Sequence, residues 1–310
     1  FNKNTDRDFL QYCLGATLYM KGTRNIADKI LNHSLTSITS IVLDFEDAIP
    51  DKELTNAENS VFRQLLKLSE AISNNSFSID ELPLIFLRPR CPLHLADLLR
   101  GLTEETAKIL TGFCLPKIST YNCRQYLDLI SFLRQKFGSK LYCMPILEGK
   151  LIAHRESRIK ELEQLKQIFG KYRETILNVR VGGTDFSSVF GVRRGINYSI
   201  YDLLPVRDCL SDILNYFIRE EDNYVISGPV WEYFLASKDD HLNTSSDKSI
   251  HRTLLAKNPV LNECVDGLLR EVLMDKINGF VGKTIIHPTH AKHVNGMQSE
   301  VREEYEDAIQ

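Results

Sequence analysis

At 310 residues the chain could hold two domains, although single α/β barrels of this size are common, and its 43% apolar and 25% charged composition is that of an ordinary globular protein. A net charge of −3 gives no sign of a nucleic-acid or anionic-membrane surface, and no apolar run approaches the roughly 20 residues of a spanning helix. The polar start, Phe1-Asn2-Lys3-Asn4-Thr5-Asp6, carries no signal-peptide pattern, and the seven cysteines are scattered without a Cys-x-x-Cys pair. Reduced, buried thiols and a cytoplasmic location are therefore expected.

Short apolar runs recur at 16–19, 40–43, 84–87, 112–115, 141–147, 179–181, 223–226 and 283–286, and each reads as a strand. Amphipathic stretches with a helical period lie between them, as at 59–72, 126–137, 159–172 and 211–219. Eight strands alternating with helices in this length predict a (β/α)8 TIM barrel forming a single domain over 1–310, rather than an open sheet. The segment at about 237–257, rich in Asp, Asn, Ser and Thr, reads as a polar insertion after the seventh strand.

The runs end in chemistry. Lys21-Gly22-Thr23-Arg24 follows the first, Asp44-Phe45-Glu46-Asp47 the second and Arg88-Pro89-Arg90 the third. Pro116-Lys117, Glu148-Gly149, Gly183-Thr184-Asp185, Ser227-Gly228-Pro229 and His287-Pro288 follow the others. In a barrel these ends meet at one mouth, where active sites are built.

Three carboxylates within four residues repel one another and call for a cation, an Arg or Lys, or shared protons. Along an extended chain Asp44 and Glu46 point to one side and Asp47 to the other. Glu46 or Asp47 then suits metal-bound water and Asp44 a neighbouring cation, unless the cluster merely caps the next helix. Glu148 and Asp185 become neighbours at the mouth and suit a hard cation, Mg²⁺ or alternatively Mn²⁺, unless they are solvated acids at loop starts. Arg88, Arg90 and Arg24 suit a substrate carboxylate or, equally, surface ion pairs. His287, His290 and His293 are spaced three and three, not as a helical His-x-x-x-His pair, which argues against zinc. No dinucleotide fingerprint, P-loop or nucleophile elbow occurs.

Together these clusters resemble the HpcH/HpaI aldolase and citrate lyase β-subunit superfamily. Leu43-Asp44-Phe45-Glu46-Asp47-Ala48-Ile49 is similar to its Asp-Leu-Glu-Asp-Ala-Val, Phe86-Leu87-Arg88-Pro89-Arg90 to its Val-Arg-Val-Asn, and Pro116-Lys117 to its Pro-Lys pair. Ile146-Leu147-Glu148 and Gly182-Gly183-Thr184-Asp185-Phe186 resemble the segments that supply its metal ligands. Gly279-Phe280-Val281-Gly282-Lys283 through His287-Pro288 resembles its most specific signature.

The resemblance implies a homo-oligomeric barrel that binds Mg²⁺ through Glu148 and Asp185 and cleaves or forms a carbon–carbon bond beside a carbonyl of a small-molecule substrate. Arg88, Glu46 and Asp47 would then be catalytic, with Arg24, Arg88, Lys117, Gly183 and Thr184 binding the substrate. The substrate expected is a carboxylate-bearing oxo or hydroxy acid. Other branches carry an acidic C-terminal lid, whereas this sequence ends at Gln310 soon after the His-Pro helix, so no lid is expected. That departure, and a start without Pro-Gly, are similar to the divergent citrate-lyase-like proteins of tellurite-resistance-type operons and leave a coenzyme A thioester substrate open. A Claisen-type condensing enzyme, an acyl-CoA thioesterase and a non-catalytic barrel remain the alternatives.

Overall fold

The computed structural model describes residues 1–47, 49–234 and 263–299. Its strands are β1 (Ala16–Lys21), β2 (Ser40–Asp44), β3 (Leu84–Arg88), β4 (Leu110–Leu115), β5 (Tyr142–Leu147), β6 (Val179–Val181), β7 (Ile226–Trp231) and β8 (Lys283–Ile285). They pair in parallel, each with its sequence neighbour, and β8 returns to β1 to close the barrel. The expected (β/α)8 fold is what the chain adopts.

Parity along the strands makes two concentric cores. Val42, Phe86, Cys114, Met144 and Ile146 share the inner cluster, while their sequence neighbours Ile41, Leu43, Leu87, Phe113 and Leu147 belong to the outer one beneath the helices. The helix Leu54–Ser73 buries Ala57, Val61, Leu65 and Leu68 at helical spacing against that outer layer. The helices Cys123–Phe137 and Arg155–Lys171 use the same pattern.

Leu10 and Leu14 join the inner cluster with Leu84, Tyr142 and Leu177, so the polar-looking N-terminal segment stops the lower end of the barrel. Lys3 is buried there and donates to the carbonyls of Ala107 (2.6 Å) and Leu110 (2.7 Å), and Arg7 donates to that of Ile176. Their charges hid this role in the sequence.

One strand differs from expectation. The sequence pattern places the seventh at 223–226, but β7 begins at Ile226 and runs through Ser227-Gly228-Pro229. Gly and Pro read as a breaker, yet the register with β8 shifts between Gly228 and Trp231, which lets the ladder pass the missing Pro229 N–H. The expected insertion at 237–257 and the chain beyond Ser299 lie outside the described residues. No disulfide joins any of the seven cysteines, and five of them, Cys114, Cys123, Cys143, Cys209 and Cys264, are buried.

His290 opens the helix His290–Gln298 and is 2% exposed, with no hydrogen-bond partner for Nδ1 among the described residues. Burial, reinforced by His287 and His293, lowers its pKa from 6.5 to about 4. The unfolded chain therefore binds a proton that the fold refuses, and stability should fall as pH drops from 6.5 towards 4. Its share amounts to about 3 kcal/mol in full. Urea unfolding across that window is expected to show a shallower decline in His290→Gln; an unchanged decline would assign the acid sensitivity elsewhere.

Candidate active site

Asp44 and Arg88 are register partners on the last residues of β2 and β3, both facing into the barrel mouth. Arg88 Nε donates to Asp44 Oδ1 and Nη2 to Asp44 Oδ2, each at 2.7 Å, a fork-to-fork pair. Nη2 also donates to Asp47 Oδ2 at 3.0 Å. Nη1 lies 3.0 Å from Glu46 Oε2, an ion pair without hydrogen-bond alignment, since that oxygen has no hydrogen-bond partner among the described residues. Burial disfavours the Arg88 charge, but Asp44 and its neighbours outweigh it and raise the guanidinium further above its ordinary range.

The alternation expected for the acids does not hold. The chain bends at Phe45–Asp47, and the Glu46 N–H donates to Asp44 Oδ1 at 2.9 Å, so all three carboxylates reach the same guanidinium. Arg90 turns away from the mouth, donating to the carbonyls of Phe45 (2.8 Å) and Ile49 and pairing with Asp51. It props the loop that carries the acids.

Lys117 follows β4 with φ +48°, a left-handed conformation that aims its backbone N–H at Glu148 Oε1, 2.8 Å away. Its ammonium pairs with Glu46 and lies 3.9 Å from Asp47 Oδ1. Burial pushes the Glu46 carboxyl up, opposed by Arg88 and Lys117. Glu148, 5% exposed, follows β5, while Asp185 stands in the first turn of the helix Gly183–Phe190 after β6. Burial and then the Asp185 charge hold the Glu148 carboxyl well above the usual range. A Cβ on Gly182 would collide with Glu148 Oε2, so only glycine lets this carboxylate lie against β6. Thr184 is exposed and donates its hydroxyl to Glu232, and Gly183 is buried.

A cleft of about 820 Å³ opens over the C-terminal strand ends. Asp44, Asp47, Arg88, Glu148 and Asp185 line it, as do Gly183 and Thr184. Lys21, Arg24 and Lys29 add three cations along it. Glu46 and Lys117 are not among its lining residues; they pair with each other and hold Arg88 and Glu148. Among the described residues no group of three or more His, Cys, Asp or Glu is arranged to hold a metal. Glu148 and Asp185 nonetheless fit a hard cation: two carboxylates in one cleft, one of them buried and its charge disfavoured by the other. Substrate and water oxygens would complete such a shell.

Two features escaped the sequence reading. Arg180, on β6, points inward and lies 1% exposed at the cleft. Behind β7 and β8, Lys283 Nζ bonds Glu271 Oε1 (2.9 Å) and Asp275 Oδ2 (2.7 Å), with Arg194 on Glu271 and the Tyr201 hydroxyl on Asp275 at 2.5 Å. Lys283, Glu271 and Asp275 are fully buried, and a Cβ on Gly228 would lie 2.7 Å from Asp275 Cγ. The Lys of the signature, Lys283, is thus a barrel-to-helix rivet. The available signal was a Lys at the start of an apolar strand, with two acids four residues apart on the preceding helix.

A closed barrel with carboxylates and a guanidinium gathered at the C-terminal ends of its strands is the architecture of a barrel enzyme. Residues 8–310 match the family described as C-C bond lyase of the TIM-barrel fold, and the chain belongs to that family of carbon–carbon lyases. No curated protein matches the sequence. Among solved structures, the chain is similar to CitE from Mycobacterium tuberculosis in complex with magnesium, acetoacetate and coenzyme A. The TM-score is 0.58 at 14% identity, over 96% of this chain and 86% of that one. RipC from Yersinia pestis gives a TM-score of 0.58 at 13% identity, over 95% and 99%. The citrate lyase β subunit of M. tuberculosis complexed with oxaloacetate and magnesium gives 0.55 at 14%, over 94% and 99%. At these identities the likeness establishes the fold.

Proposed function

We propose that this chain cleaves a carbon–carbon bond beside a carbonyl in a carboxylate-bearing oxo or hydroxy acid, with Mg²⁺ held by Glu148 and Asp185. When bound, Mg²⁺ supplies Lewis-acid stabilisation of negative charge at the substrate oxygen, and Mn²⁺ meets the same oxygen-donor demand. The carrying observation is the convergence of buried Glu148, Asp185 and the locked Arg88 on one cleft. The solved structures of CitE and the citrate lyase β subunit with magnesium support the metal.

The residues divide the work. Asp44 locks two nitrogens of Arg88, so the guanidinium is preorganised and Nη1 remains a donor for an oxygen that gains charge as the bond breaks. Asp47, 60% exposed at its side chain and lining the cleft, takes the hydroxyl proton as the carbon–carbon electrons pass to the enolate oxygen. Glu46, tied to Lys117, sets the Arg88 position and the local proton balance. Arg24, exposed beside the cleft, takes the substrate carboxylate, while Thr184 and the Gly183 backbone shape the opposite wall. Fragment analysis by NMR, with a panel of oxo and β-hydroxy acids, is expected to give two carbonyl-containing products only when Mg²⁺ is present. Cleavage unchanged in excess chelator would sink the metal-dependent reading.

The cations Lys21, Arg24 and Lys29 favour a second reading, in which an acyl-CoA thioester lays its phosphates on this rim. CitE in complex with coenzyme A supports it. A condensing enzyme or thioesterase on the same site would release free thiol from an acyl-CoA, which a thiol-trapping assay separates from aldol cleavage. A non-catalytic barrel would do neither.

A further inference from the structure

Arg88 and Arg180 are the two guanidinium groups buried at this cleft, and their surroundings are opposite. Arg88 faces three carboxylates. Arg180 faces none among the described residues: Nη1 donates to Thr17 Oγ1 (3.2 Å), Nη2 to Thr284 Oγ1 (2.6 Å), and Nε has no partner. The Tyr19 ring lies 5.7 Å from its Cζ, and Tyr19 spends its hydroxyl on Cys114 Sγ, 3.0 Å away.

A guanidinium keeps its charge when buried, and a buried charge without a counter-ion is costly. Val or Leu at this position of β6 would fill the barrel interior at no such cost. Arg180 pairs in register with Ile146, two residues before Glu148, so it sits one inward layer, about 6.6 Å along the strand, beneath the carboxylate pair. Tyr19 and Thr284 line the same deep end of the cleft.

We propose that Arg180 is the anion anchor at the floor of the cleft, taking a carboxylate of the substrate while the other end of the molecule meets Glu148, Asp185 and Arg88. This deepens the lyase reading of the site and rests on it. It narrows the substrate class to acids with an anionic group on each side of the scissile bond. Hydroxyls hold the guanidinium in place and leave its charge for the ligand, as a fixed carboxylate would not.

The test uses malonate, a small dicarboxylate, titrated calorimetrically into the whole protein with chelator present. Wild type is expected to bind it, Arg180→Met to bind at least about tenfold more weakly, and Arg180→Lys to fall between, since an ammonium cannot form the bidentate pair. Arg180→Met should melt at or above the wild-type temperature, because an unpaired buried charge is removed. Thr284→Val, which loosens the guanidinium, should weaken malonate severalfold. Equal malonate binding by wild type and either the Met or the Val variant overturns the proposal, as does no binding by wild type. A Met variant that loses its fold assigns Arg180 a structural duty and overturns it too. Separate Mg²⁺ titrations keep the two readings apart: malonate binding with no Mg²⁺ heat in wild type leaves the anchor standing and removes the metal.

Discussion

Glu148→Gln is expected to lower turnover by about 10³-fold while leaving the melting temperature at or above the wild-type value. The two effects separate because they have different causes. The Gln side-chain oxygen still accepts the Lys117 N–H that Glu148 accepts at 2.8 Å, and Gln has the same shape against Gly182. What is lost is one of two carboxylates that would share a cation, and its negative charge is disfavoured by burial and by Asp185 when no cation is present. Removing it relieves repulsion in the fold and weakens the site. Asp185→Asn should act alike, and calorimetric titration of Mg²⁺ should give an affinity at least about tenfold lower in each variant. Wild-type Mg²⁺ affinity in both variants would return the pair to two acids at a barrel mouth. A melting temperature well below wild type would mean that the carboxylate is structural.

Lys283→Met should destabilise the protein by about 3–5 kcal/mol, measured by urea unfolding. Lys283, Glu271 and Asp275 are fully buried, and the ammonium satisfies both acids at once. Burial pushes Asp275 up to about 6 despite that ammonium. Burial also pushes Glu271 up, but there the Lys283 and Arg194 cations outweigh it and hold the carboxyl below its ordinary range. With Lys283 gone, Arg194 and the Ile200 N–H still serve Glu271, whereas Asp275 keeps the Tyr201 hydroxyl alone. Most of the loss should therefore fall on Asp275. Adding Asp275→Asn to Lys283→Met is expected to recover part of the stability, because a neutral amide tolerates burial better than an unpaired carboxylate. A double variant no more stable than the single one would place the cost on Glu271 or on lost packing.

How much of this was readable beforehand differs by element. Seven of the eight strand runs match their strands to within two residues at either end, because they are short, apolar and bounded by polar turns, and β1 only extends by Met20 and Lys21. The seventh was displaced because Gly228-Pro229 signals a break to any local reading, and only the register shift against β8 shows how the ladder survives. Asp44, Arg88 and Glu148 were visible as candidates because each stands where an apolar run gives way to polar residues. That they would converge followed from barrel closure, not from any spacing between them.

Amino-acid order alone determined the alternation of strands and helices, and hence a barrel whose mouth carries acids and arginines, because apolar periodicity and strand-end polarity are local properties. Tertiary structure decided which charges meet. The run Val179-Arg180-Val181 reads as a strand with nothing local to say which side its Arg takes, and closure puts the valines under the helices and the Arg inside the barrel. The bend after Asp44 likewise reverses the side on which Asp47 falls. The physical reason is parity: a strand's two faces are distinguishable in sequence, but which of them becomes the interior depends on register and on what packs outside.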